Sequence, residues 1–267
     1  MRLTNRVVCI WVGLACLLLL LGLPLRTAAA QSTNTVSMYL SGKPLRLEAP
    51  VGFCALDKSK ETDRLVFEVM SRAIGQQNRL IAYFLNCEDY RMMQAGQVFE
   101  VGRYAIVMIP GQGKSGSPKV DGLTRQRLLH ELSALYQSEK FMGKANAVVK
   151  KHFEDLDPGH VMLDDIFTEE ERVYTAAEKE ALAKAREEIL AGDYNVFPLG
   201  EDDVAVYLGF AMPDGYGIRA GAGGTTAINE VPIMISFYDA PARADLFPAL
   251  RDEASAMLRR AIKASEQ

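Results

Sequence analysis

Between positions 152 and 165 the chain concentrates side chains that hold metals: His152, Asp155, Asp157, His160, Asp164 and Asp165. Imidazole and carboxylate together suit zinc, and an open coordination position could activate water for hydrolysis. The spacing contains no H-E-x-x-H, the pattern that sets two imidazoles one helical turn apart on one face. It also fails as a calcium loop. Counted from Asp155, Gly159 comes one place before the sharp-turn position, and Ile166 stands where a bidentate Glu is needed. The expectation is therefore a solvated helix-to-loop junction. A metal-dependent hydrolase using His152, Asp155, Asp157 and His160 stands as the alternative.

Two glycine-bearing stretches invite other chemistry. Gly111-Gln112-Gly113-Lys114-Ser115 follows an apolar run, but Met108 occupies the place of the first P-loop glycine. Pro118 also interrupts the helix whose N-terminus would hold phosphate, so a polar loop is expected. The segment from Pro213 to Thr226 holds Gly215, Gly217, Gly221, Gly223 and Gly224. It reads as a flexible loop, on which Tyr216 and Arg219 could contact an anionic or peptide ligand. His130 falls on a helix otherwise devoted to packing and is expected to be partly exposed. No serine stands in a G-x-S-x-G setting, and no motif requires a cofactor.

The address of the chain sets its redox chemistry. Arg2 and Arg6 precede an apolar run from Val7 to Leu25, and Ala28-Ala29-Ala30 precedes Gln31. This is the order of a secretory signal cut after Ala30, which predicts an exported, periplasmic protein with a mature domain over 31–267. The run has 19 residues, long enough to span a bilayer if left uncut, so a membrane-tethered assembly factor is a further alternative. Cleavage leaves Cys54 and Cys87 of the four cysteines. In an oxidising compartment they are expected to pair, which the chain-entropy account values at about 3–4 kcal/mol. Of 30 basic and 34 acidic residues the first thirty positions remove three arginines, leaving 27 against 34, a net charge of −7. That balance argues against nucleic acid as a partner and against long-range attraction to anionic lipid.

The elements that must position these residues can be read from periodicity. Val36, Met38 and Leu40 alternate with polar residues, as do Leu45 and Leu47 beyond Ser41-Gly42, predicting a hairpin. Pro50 ends it, and Cys54 is expected to lead into a helix capped by Thr62, with Leu65, Val66, Val69, Met70, Ala73 and Ile74 on one face. Strands are expected at 80–85 and 101–109, with a short helix from Cys87 to Ala95. Leu128, Leu129, Leu132, Leu135 and Tyr136 mark one helix, and a second covers about 143–156. A charged helix with a stripe of small residues is expected from Thr168 to Leu190. A run from Val204 to Phe210 and a strand from Val231 to Tyr238 follow. In the latter, Ile233, Ile235 and Phe237 share one face and Met234, Ser236 and Tyr238 the other. Asp245 can cap a closing helix whose stripe is Phe247, Leu250, Ala254, Met257, Leu258, Ala261 and Ile262.

Direct strand-to-strand connections and irregular crossovers predict an α+β domain with a mostly antiparallel sheet flanked by helices, with a helical insertion at about 123–190. The hairpin, the Pro50-Val51-Gly52-Phe53-Cys54 entry, the late strands and the closing helix resemble the Mog1/PsbP-like α/β/α architecture. The likeness covers residues 35–110 and 203–264. It implies a binding or adaptor role toward an envelope protein or small ligand, and it supplies no site residue.

Overall fold

The structure is a computed structural model that describes residues 34–74, 78–97, 101–110, 119–155, 195–214, 217–240, 242 and 244–266. The expected helix at 168–190 and the Gly111–Ser115 stretch lie outside these residues, as do Asp157, His160 and the apolar run at 7–25. Among the described residues no helix is long and apolar enough to cross a membrane.

Two strands open the fold, β1 (Thr35–Leu40) and β2 (Lys43–Glu48). They pair antiparallel with Tyr39 opposite Pro44 and Ser37 opposite Arg46. Ser41 and Gly42 both take positive φ, 53° and 78°, the twist a two-residue hairpin turn requires. The alternation read from the sequence holds: Leu40, Leu45 and Leu47 are buried, while Ser37, Tyr39, Pro44 and Arg46 face outward.

A seven-stranded antiparallel sheet forms the body of the fold. Its strands are β3 (Phe53–Ala55), β4 (Asn78–Asn86), β5 (Tyr104–Pro110), β6 (Asn195–Glu201), β7 (Val206–Asp214), β8 (Gly217–Ile228) and β9 (Val231–Asp239), in the order β3-β4-β5-β9-β8-β7-β6. The helices among the described residues are α1 (Glu61–Ile74), α2 (Cys87–Gln94), α3 (Arg125–Tyr136), α4 (Glu139–Asp155) and α5 (Leu246–Ser265). One face of the sheet carries Ile233, Ile235 and Phe237 beneath α5, whose Leu250, Ala254, Met257, Leu258, Ala261 and Ile262 are all buried. The hairpin leucines join this same core beside α5. Each large side chain buried here contributes about 1.5–3 kcal/mol before entropy is counted. The other face carries Met234 and Tyr238 and is packed by Val66 and Met70 of α1 and Tyr90 and Met93 of α2. Leu128 of α3 covers Ala227 of β8.

Several local expectations are corrected. Cys54 does not lead into a helix: Pro50 to Phe53 form a turn, with Gly52 at φ +84° and Phe53 N–H donating to the Pro50 carbonyl at 3.0 Å, and the chain becomes edge strand β3. Thr62 lies inside α1 rather than capping it. The first helical bond runs from Arg64 N–H to the Lys60 carbonyl, 3.0 Å, and the buried Asp63 carboxylate reaches back to accept Asp57 N–H at 2.7 Å. Tyr90 donates to the same carboxylate at 2.9 Å, and Gln94 also donates to it, so α2 satisfies a charge that α1 buries. Leu135 is 40% exposed, outside the stripe expected of it. Asp245 has helical backbone angles and makes no side-chain cap hydrogen bond to α5.

The largest correction concerns 213–226. Its described residues, 213–214 and 217–226, are not a flexible loop but the end of β7 and most of β8, a twelve-residue strand between β7 and β9. Gly221, Gly223 and Gly224 are places where neighbouring side chains lie on the backbone. Phe210 of β7 and Tyr238 of β9 lean over Gly221, which faces both in register, their ring centroids 5.6 Å apart. On the opposite face a Cβ at Gly224 would stand 2.7 Å from the Tyr207 ring and 2.9 Å from Leu258. Gly in a strand interior marks such close approaches.

Gly224→Ala is expected to lower stability by about 1–3 kcal/mol in urea unfolding, because the Tyr207 ring is anchored and α5 cannot retreat. Gly143→Ala at an exposed position of α4, where a Cβ meets nothing within 4 Å, is expected to raise it by about 0.5–1 kcal/mol. Equal effects of the two substitutions would contradict the packing described.

Candidate functional site

The expected disulfide is present. Cys54 of β3 bonds to Cys87, the first residue of α2, across a sequence separation of 33 and a Cα–Cα distance of 4.9 Å. Asn86 caps α2 by accepting Glu88 N–H at 2.9 Å, so strand, cap and disulfide meet within two residues. The bond ties the three-residue edge strand to the helix that satisfies Asp63.

Arg219 is not on a mobile loop. It lies on β8 with 7% exposure, and its guanidinium donates to the carbonyls of Gly102 and Val101 at 2.7 and 2.8 Å. The same group sits 5.3 Å from the Tyr104 ring, which stacks on Tyr238 at 4.5 Å and on Tyr83 at 5.6 Å. Asp89 accepts Gly102 N–H at 3.2 Å and feels the Arg219 charge. Burial pushes its carboxyl above the usual range, against those contacts. Arg219 thus holds the approach to β5 in place and is spent on the protein itself. Tyr216 lies outside the described residues. His152 and Asp155 fall on α4, where the backbone alone is described, and Asp157 and His160 lie beyond it. Among the described residues no group of three or more His, Cys, Asp or Glu could hold a metal ion.

Two open grooves among the described residues bear on binding. One, of about 650 Å³, is lined by Arg127, exposed His130 and Gln137 of the α3 region and by Glu201 and Asp202. Its Asp202 is already committed. The carboxylate accepts Val204 and Ala205 N–H at 2.8 and 2.9 Å, Ser255 Oγ at 2.8 Å and Tyr207 Oη at 3.0 Å. Arg259 bridges Asp202 and Asp203. Burial alone would raise the Asp202 carboxyl, but the N–H groups of Ala205 and Val204 and the hydroxyls of Ser255 and Tyr207 outweigh it and hold it below its usual value. This cluster fastens the β6–β7 turn to α5.

The other groove, about 640 Å³, lies between the hairpin and the end of α5. The strand period places Tyr39, Arg46 and Glu48 on the outer face of the hairpin, and the helix period places Arg260 and Lys263 one turn apart on an exposed face of α5. Met38 and Leu45 contribute apolar lining. Tyr39 is 79% exposed, an aromatic the fold does not bury. Arg46 lies 3.6 Å from Glu48, an exposed pair worth under about 1 kcal/mol and readily exchanged. Three cations and one carboxylate leave the groove positive on a chain whose formal charge is −4. Its described lining has no histidine or cysteine. The chemistry it offers is attraction of anionic groups beside an aromatic ring. Periodicity could mark these residues as outward-facing, but nothing in the sequence joins positions 39 and 46 to positions 260 and 263.

No protein-family model matches this sequence, and no curated protein matches it.

Arg219→Lys is expected to destabilise the protein by about 1–3 kcal/mol in urea unfolding, since one ammonium cannot reproduce the fork that holds two carbonyls. Asp202 gives a pH test. Its carboxyl is held low in the folded state, so its contribution is complete above the unfolded pKa of about 4 and is lost as pH falls through the lower folded value. Asp202→Asn should therefore cost about 1–2 kcal/mol at neutral pH and flatten the loss of stability below about pH 4, followed by thermal melts across pH. An unchanged acid limb in the variant would count against this assignment.

Proposed function

We propose that the chain is an exported, non-enzymatic binding or adaptor module of the cell envelope, and that it meets its partner through the groove between the hairpin and α5. The observation that carries this reading is the convergence there of Arg46, Arg260 and Lys263 with the exposed Tyr39. Surface aromatics and arginines are the residue types that anchor protein contacts. Such a cluster on a negatively charged chain favours anionic groups by local rather than overall charge. The Cys54–Cys87 bond supports the compartment, because structural disulfides persist where the medium is oxidising. The N-terminal order of arginines, apolar run and small residues supports export and cleavage after Ala30.

The test is photo-crosslinking in the native host with benzoylphenylalanine placed at position 39 and, separately, at exposed Lys140 of α4. The expected result is a discrete partner captured from position 39 and not from 140, in a protein whose intact mass begins at Gln31 and lacks two hydrogens. Equal capture at the two positions would overturn the assignment of the groove. A mass that includes residues 1–30 would overturn the exported, cleaved form.

A further inference from the structure

We propose that the groove takes an extended acidic segment of a partner protein, paired through its backbone to the free edge of β1 with its carboxylates on Arg46, Arg260 and Lys263. The inference rests on the groove being the contact surface and adds the chemistry of what fills it.

The edge carries the first part of the argument. β1 and β2 pair with one another, and among the described residues neither has a second strand neighbour. Proteins protect such edges with lysine, proline, charge or a bulge. β2 is protected in this way, with Lys43, Pro44, Arg46 and Glu48 along its six residues. β1 reads Thr-Val-Ser-Met-Tyr-Leu and has no charge and no proline. Its register with β2 is unbroken over all six residues. Its Ser37, Met38 and Tyr39 line the groove together with Arg46, Arg260 and Lys263, which puts three consecutive residues of the unprotected strand in the same groove as the cations. An exposed strand edge is a template for an added strand.

Charge selects the occupant. An extended segment presents alternate side chains to one side, about 7 Å apart, and acidic residues at that period can meet cations along the groove. The C-terminal end of α5 carries a partial negative charge of about half a unit, which Arg260 and Lys263 more than offset. A second copy of this chain fits poorly, because pairing two β1 edges would bring two positive grooves together.

The experiment uses the purified full chain and labelled short peptides alternating valine with glutamate, read by fluorescence anisotropy at low salt. A lysine-for-glutamate peptide is the charge control. Two further peptides carry N-methyl groups on alternate amides, one on odd and one on even positions, because an antiparallel strand pairs through every second residue. Anionic phosphatidylglycerol vesicles are the lipid control. The expected results are binding of the glutamate peptide, none of the lysine peptide, and at least about tenfold weaker binding for one of the two methylated peptides. Arg46→Glu with Lys263→Glu should weaken the glutamate peptide by at least about tenfold. Both positions are exposed, and circular dichroism checks the fold. Equal binding of both methylated peptides overturns strand addition, and binding of vesicles without peptide overturns the acidic segment. If no peptide binds while position 39 still captures a discrete partner, this inference falls and the groove reading stands. If both fail, both fall.

Discussion

The burial of one stripe of α5 against both the sheet and the hairpin is the constraint on which the rest depends. One part of its apolar stripe meets β8 and β9, and another meets Leu40, Leu45 and Leu47 of the hairpin. Two strands alone are marginal in water. The hairpin keeps its shape because its inner face completes the α5 core. The groove follows from this, since its lining comes from both strands of the hairpin and from the exposed turn of α5.

What lets α5 lie so close to the sheet is the smallness of β8. Ala220, Ala222 and Gly224 face α5, and the space they leave is filled by Tyr207 and Leu258. Tyr207 is fixed in turn by its hydroxyl on Asp202, and Asp202 is tied through Ser255 and Arg259 back to α5. Ring, carboxylate and helix therefore form one closed set of contacts, apolar at its centre and polar at its rim. On the opposite face the row Tyr104, Tyr238, Gly221 and Phe210 crosses four strands, with Arg219 closing one end on the carbonyls of Val101 and Gly102.

The strongly periodic elements were legible in the sequence. The α5 stripe, the two faces of β9 and the alternation of the hairpin are all found, because in each the apolar residues themselves make the packing. The Cys54–Cys87 pairing followed from counting two cysteines in the chain after cleavage. β8 was not legible, because a strand built from glycine and alanine has no apolar signature of its own. Its stability comes from rings on β7, β9 and α5 that lie elsewhere in sequence. Arg219 was misplaced for the same reason: once the segment is a strand, its arginine is buried and spent on carbonyls. β6 was missed as well, since Pro198 and Gly200 interrupt its pattern at an irregularity in the pairing with β7. The groove was illegible because its walls come from opposite ends of the chain and its residues are polar.

Amide hydrogen exchange across residues 217–228 tests the central claim most directly. If β8 is the strand that seats α5, its amides should exchange as slowly as those of β9, with the hairpin amides of 35–48 protected to a lesser degree. If 217–228 exchanges at the rate of an open loop while β9 stays protected, α5 has no such seat and the groove has no fixed wall.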